Sequence, residues 1–280
     1  MEKIYILLPV HNRKEITRSF INCLTSQTFK NYHLILIDDG STDGTAEMVK
    51  EQVENLTILQ GNGNWWWAGC LQRGIEWLQN NKNDQEDIIL IINDDVEFDE
   101  NFLETGLQLI KSNDKSLILA QHIDPKTGIC HETGVDIDFR YLSFRIASSS
   151  ATINCLSTRG LFLKKSYLKK IGGFYPNLLP HYWSDYEFTI RAKRKGFKLM
   201  TSPKLAISLK HPEQFSALNF RFLKDFTINN ILSKKAIHPI YSSIFVLIAS
   251  PIIWIPINIA KIWIGFIRLF LKTWLNSRIK

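Results

Sequence analysis

Short apolar runs alternate with amphipathic stretches from Ile4 to Ile92, and this alternation restricts the possible folds more than any other feature. The predicted strands are Ile4–Val10, Leu34–Ile37, Leu56–Leu59 and Ile88–Ile92, and the predicted helices are Glu15–Thr28, Gly44–Val53 and Gly69–Leu78. The last strand is entirely aliphatic, which is typical of a central strand buried on both faces. Strands that alternate with helices predict an α/β fold, a doubly wound and mostly parallel sheet with flanking helices.

Polar residues follow three of the predicted strands. They are His11-Asn12-Arg13 after the first strand, Asp38-Asp39 after the second and Asn93-Asp94-Asp95 after the aliphatic strand. Ligands of such sheets bind at the carboxyl ends of the strands, so we expect these clusters to form one site. Ordinary polar turns are the alternative explanation for any single cluster.

Asp94 and Asp95 are adjacent carboxylates that repel each other unless a cation neutralises them. Their hard oxygen atoms favour Mg²⁺ or Mn²⁺, and a metal with open coordination positions would bridge a diphosphate leaving group. The alternative is a helix N-terminus, since aspartate is a favoured cap and Asp99 and Glu100 continue the acidic run.

Taken in order, these motifs resemble the inverting family 2 nucleotide-sugar glycosyltransferases, which have the GT-A fold. The residues that carry the resemblance are Pro9-Val10-His11-Asn12-Arg13, Ser26-Gln27-Thr28, Asp38 to Thr45 and Asn93-Asp94-Asp95-Val96. The segment Asn62 to Gly69 contains three adjacent tryptophans, and at least one is expected to line a substrate cleft. It resembles a segment of a rhamnosyltransferase-like bacterial branch that assembles cell-surface polysaccharides. The resemblance covers roughly residues 3 to 211.

The resemblance implies roles for individual residues on the donor side. Asp39 is expected at the pyrimidine ring, Asp94 near the ribose and Asp95 at the metal, as the last residue of a DxD motif whose first position is Asn93 here. His211 resembles the histidine that completes the metal site. The other expected donor-binding residues are Pro9, His11, Asn64, Trp67 and Gly69.

On the acceptor side, the resemblance makes Asp185 the general base. Inversion in one displacement needs a carboxylate to take the proton of the acceptor hydroxyl, and the aromatic neighbours of Asp185 would raise its pKa by desolvation. Ser184 stands where the family has glutamate. The expected acceptor-side residues are Gly160, Trp183 and Ser184. Alternatively, Asp185 and Glu187 only cap the predicted helix from Tyr186 to Lys195.

The net charge of +7 is confined to the end of the chain. Seven basic residues and no acidic residue follow Asp225, so the remainder is balanced. We therefore expect no nucleic-acid partner, and an anionic surface as the partner of the tail alone. The expected domains are a catalytic domain at residues 1–212 and a helical membrane-associating segment at residues 213–280.

Residues 236–260 contain no charged side chain, and 25 such residues are long enough to span a bilayer. Pro251 and Pro256 interrupt helical hydrogen bonding there. From Ile257 onward a narrow basic stripe crosses an apolar helix, which favours a position in the interface, with Trp263 and Trp274 near the headgroups. Whether the segment spans or lies flat is open, and packing on the catalytic domain or in an oligomer is the alternative.

The sequence thus predicts a Mg²⁺- or Mn²⁺-dependent inverting glycosyltransferase. Its donor would be a UDP- or dTDP-sugar, with dTDP-rhamnose suggested by the resemblance, and its acceptor a lipid-linked or cell-surface polysaccharide at the cytoplasmic face of the bacterial inner membrane. An inactive scaffold is the alternative, because Asn93 and Ser184 depart from the family pattern. A sugar-nucleotide pyrophosphorylase is disfavoured, since residues 11–15 contain no glycine.

Overall fold

A computed structural model describes residues 2–81, 84–209 and 238–278. The strands are β1 Ile4–Val10, β2 Tyr32–Asp38, β3 Leu56–Gln60, β4 Ile88–Ile91, β5 Val96–Glu97, β6 Ser116–Ile123, β7 Cys130–Glu132, β8 Val135–Asp138, β9 Ser143–Ile146, β10 Leu161–Lys164 and β11 Lys198–Leu209. The helices are α1 Lys14–Thr25, α2 Thr45–Gln52, α3 Trp66–Asn80, α4 Phe102–Ser112, α5 Leu168–Ile171, α6 Ser184–Arg194, α7 Pro239–Ala249 and α8 Ile255–Arg278.

The main sheet has the strand order β3-β2-β1-β4-β10-β6-β11-β5, with β7 paired to β6, while β8 and β9 form a separate hairpin. The long pairings β1–β2, β1–β4, β2–β3 and β6–β11 are parallel, and β10 runs antiparallel to both of its neighbours. The predicted mixed α/β fold with a mostly parallel sheet and flanking helices is confirmed. Because β1, β2 and β4 are parallel neighbours, the residues that follow them lie at one edge of the sheet.

Side chains of β1 alternate between two apolar layers, one on each face of the sheet. Ile6 and Leu8 pack in the layer that contains Phe20 of α1, whereas Leu7 packs in the layer that contains Leu71 of α3. All five side chains are fully buried. Because successive side chains of the central strands pack against helices on opposite faces, these strands are fixed in place. The residues at their ends therefore start from well-defined positions.

Two helix boundaries differ from the prediction because distant residues set them. Helix α1 ends at Thr25 rather than Thr28, since the side chain of Gln27 donates a hydrogen bond to the carbonyl of Asp99 at 2.8 Å and the N–H of Thr28 donates to Glu100 at 2.8 Å. Helix α3 begins at Trp66, three residues before the predicted start, for a reason that belongs to the site described below.

The C-terminal helices α7 and α8 pack on the body through one face. Phe245 of α7 lies in an apolar cluster with the β8–β9 hairpin and α6, and the amide of Asn258 in α8 donates to the carbonyl of Phe139 at 2.7 Å. The alternative interpretation of the tail, in which its helices pack on the catalytic domain, is therefore correct for this face. Apolar side chains elsewhere on these helices and on the turn between them are exposed, most of all Ile252 (85%) and Ile253 (72%) in the turn.

The uncharged stretch at 236–260 does not form one helix. Its described part is divided between α7 and α8 by a turn that begins at Pro251 and contains a short 3-10 helix at Ile252–Trp254. Within the described ranges, no helix has both the length and the apolar character needed to cross a bilayer. The predicted domain boundary at residues 212 and 213 lies outside the described residues.

Candidate functional site

Asp39 follows β2 and organises the loop between β3 and α3. Its side chain is almost fully buried, and Oδ1 accepts a hydrogen bond from the N–H of Gly63 at 2.9 Å. Oδ2 accepts from the N–H groups of Trp65 and Trp66, both at 3.0 Å. A carboxylate 26 or 27 positions away thus caps the first N–H groups of α3 and holds Trp66 in the left-handed region at φ 57°. This capping explains why α3 begins three residues early.

His11 and Asn12 connect the ends of β1 and β2. His11 is exposed, and its Nδ1 lies 2.7 Å from the carbonyl oxygen of Asp39, so this nitrogen carries the proton and donates. The side-chain oxygen of Asn12 accepts from the N–H of Thr42 at 2.8 Å, and the N–H of Asn12 donates to Ser41 at 2.9 Å. An exposed imidazole is therefore fixed beside Asp39. Pro9, another expected donor residue, is buried within β1 opposite Ile37.

Asp94 and Asp95 share the guanidinium of Arg13. Asp94 Oδ1 lies 3.0 Å from Arg13 Nη1, and Asp95 Oδ2 lies 3.5 Å from Arg13 Nη2. The hydroxyl of Thr17 donates to Asp94 Oδ2 at 2.9 Å. Burial raises the pKa of Asp94 to about 6, against the opposing effects of Arg13 and Thr17. The expectation of a neutralising cation is met in part by a side chain of the protein itself.

The alternative interpretation of the acidic pair as a helix N-terminus is wrong. Asp94 and Asp95 lead into β5, and α4 begins only at Phe102. The carboxylates therefore occupy a turn between two strands, at the edge where β1 and β2 also end. Their position suits a ligand better than it suits a cap.

Asp95 has the properties of a metal ligand. Its Oδ1 is buried and has no hydrogen-bond partner in the described part of the chain. Mg²⁺ and Mn²⁺ bind few protein carboxylates and take their other ligands from water and phosphates, so one unoccupied carboxylate oxygen fits such an ion. No group of three or more His, Cys, Asp or Glu side chains is placed to hold a metal within residues 2–81, 84–209 and 238–278. His211, the other expected ligand, lies outside these residues.

Asp185 lies in the first turn of α6 and is partly exposed. Its Oδ1 accepts a hydrogen bond from the N–H of Tyr186 at 2.9 Å. Burial raises the pKa of Asp185 to about 6; the nearby carboxylate of Glu132 also raises it, and the guanidinium of Arg159 opposes the shift. A carboxylate that titrates near neutral pH accepts a proton more readily than an ordinary aspartate, which suits a general base.

The two residues before Asp185 have structural roles that the sequence does not reveal. The hydroxyl of Ser184 is buried and donates to the carbonyl of His181 at 2.7 Å, which closes the turn before α6. Trp183 adopts φ 70°, and its ring stacks on Phe245 of α7 at 4.8 Å and an interplanar angle of 17°. Its Nε1 donates to Ser242 at 3.2 Å. The Trp183 ring is thus directed into the contact with α7.

Residues 155–160 connect α6 to the acidic edge of the sheet. Thr189 of α6 accepts a hydrogen bond from the N–H of Leu156 at 3.0 Å, Thr158 accepts one from Nε1 of Trp67 at 3.3 Å, and the N–H of Gly160 donates to Ile91 at 3.0 Å. The segment therefore runs from the helix of Asp185, past α3, to the strand that precedes Asp94. Gly160 has φ 91°, and a Cβ at this position would lie 3.0 Å from the Cβ of Ala120.

A cavity of about 520 Å³ lies between α3, residues 176–180 and α7. Its lining comprises Asn64, Trp65, Trp66, Gly69, Gln72, Arg73, Glu76, Pro176, Asn177, Pro180 and Tyr241. Asn64 and Gly69, which the sequence assigns to the donor, line this cavity together with two of the three adjacent tryptophans. Trp67 instead bonds Thr158.

Arg13 and Thr17 are site residues to which the sequence analysis assigns no role. Arg13 belongs to a motif used there, but no local pattern in the sequence indicates that its guanidinium pairs with Asp94 and Asp95, 81 and 82 positions away. Thr17 is a fully buried polar residue on the apolar face of α1. A polar side chain inside an otherwise apolar stripe was the available signal, because buried hydroxyls need hydrogen-bond partners.

The sequence profile of the family described as Glycosyl transferase family 2 matches residues 5–172. Curated relatives include Glycosyltransferase AglE of Haloferax volcanii, 25% identical over 70% of this chain and 63% of its own length. Amylovoran biosynthesis glycosyltransferase AmsB of Erwinia amylovora is 24% identical over 70% of this chain and 65% of its own length. This chain therefore spans less than two thirds of either relative.

Solved structures with a similar fold include S. aureus TarS 1–349, with a TM-score of 0.56 and 18% identity over 77% of this chain and 62% of that one. Mannosyltransferase PcManGT from Pyrobaculum calidifontis, in complex with GDP-Man and Mn²⁺, has a TM-score of 0.57 and 14% identity over 75% of this chain and 57% of that one. At these identities the similarity shows a shared fold.

Proposed function

This chain belongs to glycosyl transferase family 2, and from that premise we propose that it is an inverting, metal-dependent enzyme that transfers a sugar from a UDP- or dTDP-sugar to a lipid-linked or cell-surface polysaccharide. The observation that carries the proposal is Asp185. It is a partly exposed carboxylate with a pKa near 6, joined through residues 155–160 to the strand that leads to Asp94 and Asp95.

The donor site we propose lies where β1, β2 and β4 end. His11 and the loop held by Asp39 would receive the pyrimidine nucleoside, with Asp94 near the ribose. Asp95 would hold Mg²⁺ or Mn²⁺ through its unpaired Oδ1. Support comes from neighbours of the same fold whose structures contain UDP, UDP-GlcNAc, or GDP-Man with Mn²⁺. A polysaccharide acceptor is supported by AmsB, which is named for amylovoran biosynthesis.

In the proposed reaction, Asp185 takes the proton of the acceptor hydroxyl while that oxygen attacks the anomeric carbon. The bond from this carbon to the diphosphate breaks on the opposite face, and the nucleoside diphosphate leaves with the electron pair, which inverts the configuration. Asp95 would hold the divalent cation, which would supply positive charge against the negative charge of the departing diphosphate. Asp94 stays paired with Arg13 and Thr17 and keeps the acidic turn in place.

Nucleotide binding tests the donor part of this proposal. The melting temperature of the wild type is measured with UDP, dTDP, GDP and CDP, each with and without Mn²⁺. We expect one of the pyrimidine diphosphates to raise it, and only when Mn²⁺ is present. Asp95→Ala should remove this metal-dependent rise, and Asp99→Ala, an exposed carboxylate of the same region, should retain it. Stabilisation by none of the four, or an equal rise in Asp95→Ala, would contradict the proposed site.

We also propose that the exposed face of the C-terminal helices lies on an anionic membrane, at the cytoplasmic face of the inner membrane. Ile252 and Ile253 protrude from the turn between α7 and α8, and Ile264, Ile267 and Leu271 of α8 are about half exposed. The basic side chains that accompany this apolar surface favour acidic lipid headgroups. Amphipathic binding of this kind requires no membrane-spanning helix.

Sedimentation with vesicles tests the membrane proposal. Ile253→Asp places a charge on the protruding turn and should weaken binding to phosphatidylglycerol vesicles at least fivefold, while neutral vesicles bind weakly in every case. Ile129→Asp is the matched control, because Ile129 is 56% exposed on a different loop. Equal binding of the wild type and the two variants, or equal loss in both variants, would refute the assignment of this face.

A further inference from the structure

The cavity beside α3 contains none of the three carboxylates that the proposed reaction uses, although Trp65 and Trp66 in its lining belong to the loop that Asp39 holds. Its volume of about 520 Å³ lies within the range of sites that bind small molecules, about 300 to 1,000 Å³. The carboxylates of Asp94, Asp95 and Asp185 do not belong to its lining. Three parts of the chain build it: the start of α3, residues 176–180 and Tyr241 of α7. The proposed chemical step uses no side chain on the side of the cavity formed by residues 176–180 and Tyr241.

Aromatic side chains form part of the cavity wall. Trp65, Trp66 and Tyr241 all line it and are each partly exposed. The guanidinium of Arg73 lies over the Trp65 ring, 5.5 Å from its centroid, which holds that indole in place. Partly exposed indole and phenol rings present an apolar face with a polar edge, and the C–H face of a sugar ring packs against such surfaces.

The charged side chains in the lining neutralise one another. Arg73 Nη1 lies 3.1 Å from Glu76 Oε2, and the amide of Gln72 donates to Glu76 Oε1 at 3.1 Å. Both carboxylate oxygens of Glu76 therefore accept a hydrogen bond, and its charge balances that of Arg73. A phosphate or carboxylate ligand would have to compete with Glu76 for Arg73, the cation of this lining. The charge pattern favours a neutral ligand.

The lining nevertheless contains groups suited to hydroxyls. Within the described residues, the exposed side-chain amides of Asn64 and Asn177 make no hydrogen bond, and each offers two donors and an acceptor. Gln72 uses its oxygen for the N–H of Phe174 at 2.9 Å and one amide hydrogen for Glu76, so one hydrogen is left. Amides around aromatic rings, with no net charge, are complementary to a polyhydroxylated and uncharged ring.

We propose that this cavity is a subsite for a neutral sugar unit of the acceptor, next to the loop that we assign to the donor; the identity of the ligand as an acceptor rests on the function proposed above. The Trp66 ring meets His181 edge-on at 5.8 Å, and the carbonyl of His181 accepts a hydrogen bond from Ser184, so this wall of the cavity contacts the turn that leads to the proposed base. An acceptor with several sugar units extends from Asp185 into the cavity. Tyr241 adds a wall from the helix pair that we place at the membrane.

Saturation-transfer difference NMR on the full chain tests the subsite, with the methyl glycosides of glucose, galactose and N-acetylglucosamine as probes and saturating UDP and Mg²⁺ present. At least one glycoside should receive saturation both with and without UDP. Tyr241→Ala should weaken its binding about fivefold, since it removes one aromatic wall. Asn177→Ala, an exposed position whose replacement spares the fold, should weaken it at least twofold. Tyr141→Ala is the control, because Tyr141 is an exposed tyrosine outside the cavity.

The two proposals fail in different ways. If UDP binds but no glycoside receives saturation, or if UDP abolishes the glycoside signal, the separate subsite is refuted and the donor site stands. If a glycoside binds in the wild type and loses affinity in Tyr241→Ala and Asn177→Ala but UDP does not bind, the cavity stands as a sugar site and the transferase function fails. Unchanged glycoside binding in both variants also overturns the subsite.

Discussion

Replacing Asp185 with asparagine should abolish sugar transfer while stabilising the fold at neutral pH. Asparagine has the same shape, and its side-chain oxygen still accepts the N–H of Tyr186, which Asp185 accepts at 2.9 Å. It cannot take a proton from an acceptor hydroxyl, so the transfer rate should fall about 100-fold or more. The same change removes a carboxylate that burial holds at an elevated pKa.

The size of the stability gain follows from the pKa of Asp185 in the two states. Its ordinary value of 3.8 applies to the unfolded chain, and the value in the fold is about 6. Since the folded pKa is higher, the ionised carboxylate destabilises the fold, and this loss grows as the pH rises from about 4 to about 6. A difference of two units corresponds to about 3 kcal/mol, which solvent screening of this partly exposed group reduces to about 1 to 2 kcal/mol.

Urea unfolding at pH 5 and pH 8 measures this effect. The free energy of unfolding of Asp185→Asn should exceed that of the wild type by about 1 to 2 kcal/mol at pH 8 and by about half as much at pH 5. Asp138→Asn is the matched control, because the exposed Asp138 also accepts one backbone N–H, from Arg140 at 2.8 Å, and its unfolding is measured at the same two pH values. Equal stabilities at both pH values, or retained transfer in Asp185→Asn, would refute the reasoning.

Three further substitutions test how the fold holds the site, each by urea unfolding. Asp39→Ala leaves three N–H groups of the α3 loop without their acceptor and should lower the free energy of unfolding by about 3 kcal/mol; a loss below about 1 kcal/mol would contradict this capping role. Phe245→Ala should lower the free energy of unfolding by about 3 kcal/mol, whereas Leu247→Ala, on the exposed side of the same helix, should lower it by less than about 0.5 kcal/mol. Similar losses in the two variants would show that the contact of Phe245 with Trp183 is unimportant. Arg13→Ala leaves Asp94 buried without its cation, which raises the pKa of Asp94 further above its present value of about 6. The free energy of unfolding of this variant should therefore fall more at pH 8 than at pH 5. A loss that does not depend on pH would exclude this pairing.

Local sequence patterns predict most of the sheet and the edge at which β1, β2 and β4 end. The strands near Ile4, Leu34, Leu56 and Ile88 and the intervening helices occur as expected, with boundaries within three residues. Apolar periodicity reports which face of a segment is buried, and that preference arises from neighbouring residues alone. Because parallel neighbouring strands end at one edge, the same pattern also places the polar clusters together.

The details that distant contacts control were not predictable. The start of α3 depends on the carboxylate of Asp39, and the end of α1 depends on the hydrogen bond from Gln27 to residue 99. No local pattern encodes either contact. The acidic pair leads to a strand rather than a helix, because Val96 and Glu97 pair with Leu209 and Ser208 at the far end of the sheet.

The character of the site divides in the same way. The order of residues in the chain determines which residue types stand at the strand ends. It also places Asp185 at the start of a helix. Only the packed structure shows that Arg13 neutralises Asp94 and that the Trp183 ring is directed to α7. The same holds for the cavity between α3 and α7. These features join residues from 59 to about 180 positions apart, and hydrogen bonding, burial and charge pairing at such separations exist only once the helices have packed on the sheet.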